Sequence, residues 1–376
     1  MISINKYILI RNLAVLFVIC NLLYWFFPFR PVVWRILLLL LSLIVIGLEM
    51  KNLLLSEKIG LMFSSLIVLY FVFGLPASAG SLSGLGNVLC AFVTIPLFRF
   101  LSQKGVFTQK SILIILTLLL ICSIFYFYYF RRVKILSIGL DEQDDVTINA
   151  SVVFLYIIPL LFIVKNDIIK MVAILICFFY ILLAAKRGNI VASVIPTLLL
   201  FYDFTKSHKS SIGKTVFVFL FLGGFIFAVH NWIIENDYLL HRIEQTEEGD
   251  SSGRDVIYNL AWNAWLNSEN PVNLIGGYGY NATSTVVGAM AHSDWLEILV
   301  DYGLLGCMLF LAFFIALFSN VRRLKSNTQK FFLFSCVSIL FLKSIFSMGL
   351  FNTTSYMLAM DIGIALGIGD NYLEKN

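Results

Sequence analysis

The sequence predicts an all-α protein that threads a bilayer many times, and three observations carry that prediction. Only 13% of the residues are charged and 60% are hydrophobic, whereas a soluble domain carries about 25% charge. The apolar residues come in long blocks rather than in a 3.6-residue rhythm, and about 20 consecutive apolar residues cross a bilayer core. The blocks are separated by short polar joints, with one long exception between residues 234 and 299.

Taken in order, the blocks predict about twelve transmembrane helices, at 7–27, 32–48, 59–75, 82–98, 111–129, 148–164, 168–185, 190–204, 214–233, 300–319, 331–350 and 355–369. No small-residue cleavage site follows the first block, so it reads as a retained helix rather than a removed leader, and no lipidation motif appears. The fourth block is interrupted by Gly84, Gly86 and Pro96, and the last is short and contains Asp361. The chain thus divides into nine helices over 1–233, a long loop over 234–299 and three helices over 300–376. There is no internal repeat, heptad or low-complexity tail. Cys20, Cys90, Cys122, Cys177, Cys307 and Cys336 all fall inside predicted spans without metal-ligand spacing, which argues against disulfides and zinc.

The net charge of +5 does not indicate nucleic acid, because the basic residues sit mostly in short loops and set orientation instead. With the N-terminus inside, the cytoplasmic segments hold sixteen Lys and Arg residues, Arg99 among them. The opposite side holds nine, including Arg30, Arg35, Arg131, Arg132, Lys134, Lys186, Arg187, Arg242 and Arg254. Both termini are therefore expected in the cytoplasm and the long loop outside. The other sizeable loop, 131–150, pairs three bases with Asp141, Glu142, Asp144 and Asp145, and reads as a solvated segment.

Inside the long loop, Ser251 or Ser252 can cap a helix whose apolar face is Ile257, Leu260, Ala261, Ala264 and Trp265. Tyr258, Trp262 and Trp265 suit a helix lying at headgroup level. Asn270-Pro271 is expected to end it. A glycine-rich turn, "IGGYGYNATS" at 275–284, follows, and then "AHSDWLEILVDYGLLG" at 291–306 leads into the tenth span. An "SGR" before an amphipathic helix, a proline, a G-x-G turn and a His opening an acidic-apolar helix with paired glycines resemble the O-antigen polymerase and O-antigen ligase superfamily. "AAKRGN" at 184–189 is similar to that family's arginine-glycine element at the outer end of a helix. Ser293 stands where the family often has Asn, and Lys186 where it often has Ser. The resemblance implies a bacterial inner-membrane glycosyltransferase acting on sugar chains linked to undecaprenyl pyrophosphate.

Elementary chemistry converges on the same residues. A departing pyrophosphate concentrates negative charge, and the guanidinium fork matches phosphate oxygens. Arg187, Arg242 and Arg254 are placed on one membrane face, where they could stabilise that leaving group without a metal or other cofactor; no Asp-x-Asp metal element is present. Each has a plainer reading. Lys186 and Arg187 could be a basic pair snorkelling from a helix end. Arg254 could pair with Asp250 or Glu247, although a cation at its own helix start is disfavoured by the dipole. Arg242 precedes Gly253 by the R-x10-G spacing of some polymerases of the family.

His292 has a pKa range suited to taking a proton from an acceptor hydroxyl, or it is a surface residue ahead of a helix. Asp294 and Glu297 are alternative bases, or first-turn acids placed by the helix dipole. Gly277 and Gly279, with Gly276, form a plain turn or offer backbone amides to phosphate. Gly303 and Gly306 are expected to allow close helix packing.

The expected reaction is transfer of an undecaprenyl-pyrophosphate-linked oligosaccharide onto another lipid-linked repeat unit, as in O-antigen or capsule polymerases. The partners implied are that lipid-linked glycan, the bilayer, a chain-length regulator and a flippase. The rivals are an O-antigen ligase, which passes the glycan to lipid A core, and a lipid-linked oligosaccharide flippase. Sparse intramembrane charge (Arg11, Lys343, Asp361) disfavours a transport path. Lys343 and Asp361 fall at matching depth on adjacent helices, and the cost of an unpaired intramembrane charge predicts an ion pair between them.

Overall fold

A computed structural model describes residues 2–27, 30–73, 82–138, 149–184, 186–207, 223, 253–350 and 354–368. Among them the regular elements are all helical, with no strand. The long elements are α1 (Ile2–Leu22), α2 (Pro31–Glu49), α3 (Leu55–Phe73), α4 (Leu82–Gln103) and α5 (Gln109–Ile138). After α6 (Val152–Ile157) come α7 (Asp167–Leu183) and α8 (Arg187–Ser207). Beyond the loop lie α9 (Arg254–Leu266), α10 (Pro271–Gly276), α11 (Thr283–Val286), α12 (Asp294–Arg323), α13 (Asn327–Phe346) and α14 (Ser355–Gly367). Six described helices are long and apolar enough to cross a membrane. The predicted ninth span, Arg242 and the acidic cluster at 141–145 lie outside the described residues.

Burial sorts the helices into an inner and an outer set. Segment 149–163 and α14 are enclosed almost throughout, and α4 is enclosed over most of its length. By contrast α2, α5 and α12 turn Leu40, Ile44, Ile121, Phe125, Leu311 and Ile315 outward. Large apolar side chains on an outer ring match a hydrocarbon solvent rather than water. The inner helices touch through small residues: a Cβ at Gly363 or Gly367, four apart on α14, would collide with the α4 backbone at Ile95 and Arg99. That close approach is how membrane helices gain dispersion contact when no hydrophobic force drives them together.

The inner segments depart from the prediction where the backbone is irregular. The sixth predicted span is a short α6 between 3-10 turns at Asn149–Ser151 and Ile158–Ile163, with Pro159 at the second turn; proline removes a donor and cannot continue the i→i−4 ladder. The fourth helix runs to Gln103, past the expected end at 98, so Arg99 is not a loop residue. It is 3% exposed and gives Nε to Glu57 Oε1 at 2.5 Å and Nη2 to the Asn52 carbonyl at 3.0 Å. This is a structural lock between α3 and α4, since the cost of burying each charge is offset by the other.

The tenth predicted span also differs. Its helix starts at Asp294 and contains a break at Gly303, where φ is 62° and ψ is −158°. Gly277, at φ 75° and ψ −173°, occupies the same region, which is accessible essentially to glycine alone. The two meet: a Cβ on Gly277 would strike the Asp301 carbonyl, and one on Gly303 would strike the backbone of Ile275. Gly303 is thus not a helix-packing glycine but the point where the glycine-rich turn crosses a broken helix. Gly306 faces Tyr302 and Ile298 of its own helix.

Candidate functional site

The amphipathic helix of the long loop forms as the apolar stripe requires, with Ala261 and Trp265 buried against Ala291, Leu299 and Val300, and Ile257 packed beside them. Leu260 and Trp262 remain 50% and 47% exposed on the outer side. The helix starts from Gly253 in the left-handed region, and Ser251 and Ser252 lie outside the described residues. Asn270-Pro271 does not end it: the helix stops at Leu266, and the Asn270 side chain accepts from Val272 N to cap α10.

The glycine turn is fastened to the break in α12. Tyr278 N and Gly279 N donate to the carbonyls of Val300 and Asp301, each at 2.9 Å, and Gly277 N donates to Asn273 O at 2.8 Å. The Asp301 carboxylate accepts from Asn281 N, Thr283 N and Thr283 Oγ1. The amides of Gly277 and Gly279 are therefore committed to protein carbonyls, and of the two readings of this turn the geometry carries the folding one. The helix break frees the 300 and 301 carbonyls, and the turn takes them up, so neither can be changed alone.

Asp294 and Glu297 point inward as well. Asp294 is fully buried, and its Oδ2 accepts from Gly349 N and Leu350 N, both at 2.8 Å. Glu297 accepts from Ala291 N at 2.6 Å. Both carboxylates hold main chain in place instead of facing a cavity. Asp294 in this way ties the start of α12 to the strap after α13.

That strap closes one side of a cavity of about 490 Å³, lined among others by Lys186, His292, Asn149, Ser347, Met348 and Thr354. A volume of this order is typical of small-molecule sites. In the both-termini-inside topology, every lining segment falls at the same, outer end of its span. His292 sits at the rim with a left-handed backbone, φ 54°, a conformation uncommon for a non-glycine residue though less so for histidine.

Four nitrogenous side chains gather here. Lys186 Nζ donates to Asn149 Oδ1 at 2.6 Å. Arg254 Nη1 donates to the Phe346 carbonyl at 2.7 Å, at the last residue of α13. The dipole misfit of Arg254 at its own helix start is thereby answered, since the carbonyl end of a neighbouring helix favours a cation. Burial, then the charges of Arg254 and Lys134, press the Lys186 ammonium down to about 8. Burial, then Arg254 and Lys186, also lower His292 below its ordinary 6.5, which favours the neutral imidazole. Arg187 opens α8 beside them, half-buried.

The fourth is Lys343, and here the predicted ion pair fails. Among the described residues the one ion pair within 4.0 Å is Arg99–Glu57. Lys343, 1% exposed, gives Nζ to Asn189 Oδ1 at 2.9 Å, and Asn189 Nδ2 donates on to Ser151 at 2.7 Å. The acid within its electrostatic reach is Asp294, and the cations acting on it are Lys186 and Arg254. The side chain faces α8 rather than Asp361, whose Oδ1 is buried without a hydrogen-bond partner among the described residues. Sequence reading missed Lys343 as a member of this cluster. It also missed Arg35, which enters the cavity from α2 and had served only as an orientation charge.

A basic cavity with no acid among its described lining residues can hold a compact polyanion, and a neutral imidazole at its rim can accept a proton. Residues 172–311 match the family model described as O-antigen ligase. No curated protein matches the chain.

Proposed function

We propose, from the match of residues 172–311 to the family model described as O-antigen ligase, that the chain belongs to the O-antigen ligase and polymerase superfamily and is a bacterial surface-polysaccharide polymerase. It takes a glycan carried on undecaprenyl pyrophosphate and adds it to a second lipid-linked repeat unit at the outer face of the inner membrane. The observation that carries this reading is a cavity lined by Lys186 and His292, with Arg254 and Lys343 close enough to act on them electrostatically.

In the reaction the acceptor hydroxyl attacks the anomeric carbon of the donor sugar, and the bond from that carbon to the phosphate oxygen breaks. His292 takes the hydroxyl proton; undecaprenyl pyrophosphate leaves with the bonding electron pair. Arg254, Arg187 and Lys186 stabilise the charge that grows on the leaving group, which is worth more in a water-poor site than in solution. Lys343 and Asn189 position the start of α8. Arg242 belongs to the same proposal on its sequence spacing alone.

The second reading, favoured by the name of the matching family model, is ligation to lipid A core. Lipid-linked glycans of a deletion strain separate the two. Loss of a polymerase leaves single repeat units on the carrier, whereas loss of a ligase leaves full-length, unattached polymer. Unchanged carrier-linked glycans at both sizes would refute both.

A further inference from the structure

The cavity has a second end that the proposed leaving-group chemistry does not use. Arg35 lies there, 4% exposed, and the groups acting on its guanidinium are Tyr356, Cys90, Tyr24 and Tyr126, a different set from those around Lys186 and His292. Two neighbours on the cavity wall are buried polar groups that the described residues leave unsatisfied. Among the described residues, Asn21, 4% exposed, has neither amide atom hydrogen-bonded, and the hydroxyl of the fully buried Tyr356 has no partner. More than nine in ten buried polar groups are normally satisfied, so two orphans facing one space require something that both donates and accepts. Pro31 and Phe130 give the same end apolar faces.

Such a wall fits a sugar ring. Hydroxyls donate and accept at once, matching an amide and a phenol, which do the same. The C–H faces of a pyranose lie against aromatic and proline rings, and a guanidinium fork spans neighbouring oxygens. Pyrophosphate fits less well here, because Asn21 Oδ1 is an acceptor with nothing to offer an anion.

We propose that the Arg35 end of the cavity is the acceptor subsite, binding the terminal sugar of the incoming repeat unit through Asn21, Arg35 and Tyr356. This rests on the glycosyl-transfer reading above. It places the attacking hydroxyl between its holding residues and the cations at the other end. The aromatic wall then sets which sugar is accepted.

The test uses the full chain in nanodiscs and two soluble probes: inorganic pyrophosphate, and the repeat-unit oligosaccharide released by mild acid from the producing strain's lipid-linked pool. Tyr356→Phe keeps the buried ring and removes one hydroxyl, and Asn21→Leu keeps the shape and removes the amide. Each should weaken oligosaccharide binding about tenfold, the size of one well-made hydrogen bond, and leave pyrophosphate binding unchanged. Arg254→Lys should do the reverse, and unchanged pyrophosphate binding in the first two variants shows that they are folded. Oligosaccharide binding that survives both substitutions overturns the subsite. So does a second bound pyrophosphate that is lost in Arg35→Gln. If the wild type binds pyrophosphate but no oligosaccharide, the subsite is wrong and the transfer reading stands; if it binds neither, that reading falls too.

Discussion

Lys186 gives the proposal a pH signature. Its ammonium titrates at about 8 against an ordinary 10.5, because burial and the charges of Arg254 and Lys134 disfavour its protonated form. The charged fraction is then about nine-tenths at pH 7, half at pH 8 and a tenth at pH 9. If that charge holds pyrophosphate, kcat/KM should fall above pH 8, while His292 sets an acid limb below its ordinary 6.5. A bound polyanion favours the ammonium, so pyrophosphate binding at pH 8 should take up about half a proton per site. Calorimetry in buffers of different ionisation enthalpy measures that uptake directly. Stability should move the other way. Between pH 8 and 10.5 the unfolded chain binds more protons at this site than the folded one, so the fold gains stability as pH rises while activity is lost. Lys186→Arg keeps the charge to far higher pH and should remove the alkaline limb. An unchanged limb near pH 8 in that variant, or binding without proton uptake, would refute the role given to Lys186.

Two further outcomes test other links. Arg254→Lys keeps the charge but loses the fork that can hold Phe346 O and a phosphate together; roughly 3–4 kcal/mol of leaving-group stabilisation implies about a hundredfold loss of polymer or more at normal protein level. Near-normal polymer would demote it to a helix-end anchor. Gly303→Ala places a Cβ both in a glycine-only backbone region and against Ile275, so folded yield should drop by several-fold relative to the neighbouring Leu304→Ala, read by size-exclusion of the solubilised protein.

The bilayer fold was legible because hydrocarbon imposes one dominant pattern, long apolar runs, that needs no knowledge of neighbours. Irregular inner segments were not legible. The break at Gly303 and the turn at Gly277 are each ordinary glycines in sequence, and only their collision explains why both backbones need the same rare conformation. Arg254, Lys186 and His292 could be picked out by motif. What Asp294 and Glu297 do could not, since an acid in a helix's first turn looks the same whether it faces solvent or accepts amides from a strap fifty residues onward.

Two charges at matching positions on adjacent helices need not be partners, as Lys343 and Asp361 show. A buried ammonium must be satisfied, and matching depth made Asp361 the obvious answer. The helix bearing Lys343 instead packs against α8, and a carboxamide on α8 accepts the proton donor. An amide satisfies the ammonium without cancelling its charge, whereas a carboxylate would have neutralised it. Among the described residues Lys343 therefore has no salt-bridge partner, and the charged groups acting on it are Lys186, Asp294 and Arg254. Gathering three basic groups in one place costs stability, and binding of the proposed dianionic leaving group would offset that cost. The arrangement is thus the kind in which interactions would strengthen as the proposed pyrophosphate departs, rather than one that merely holds the resting substrate.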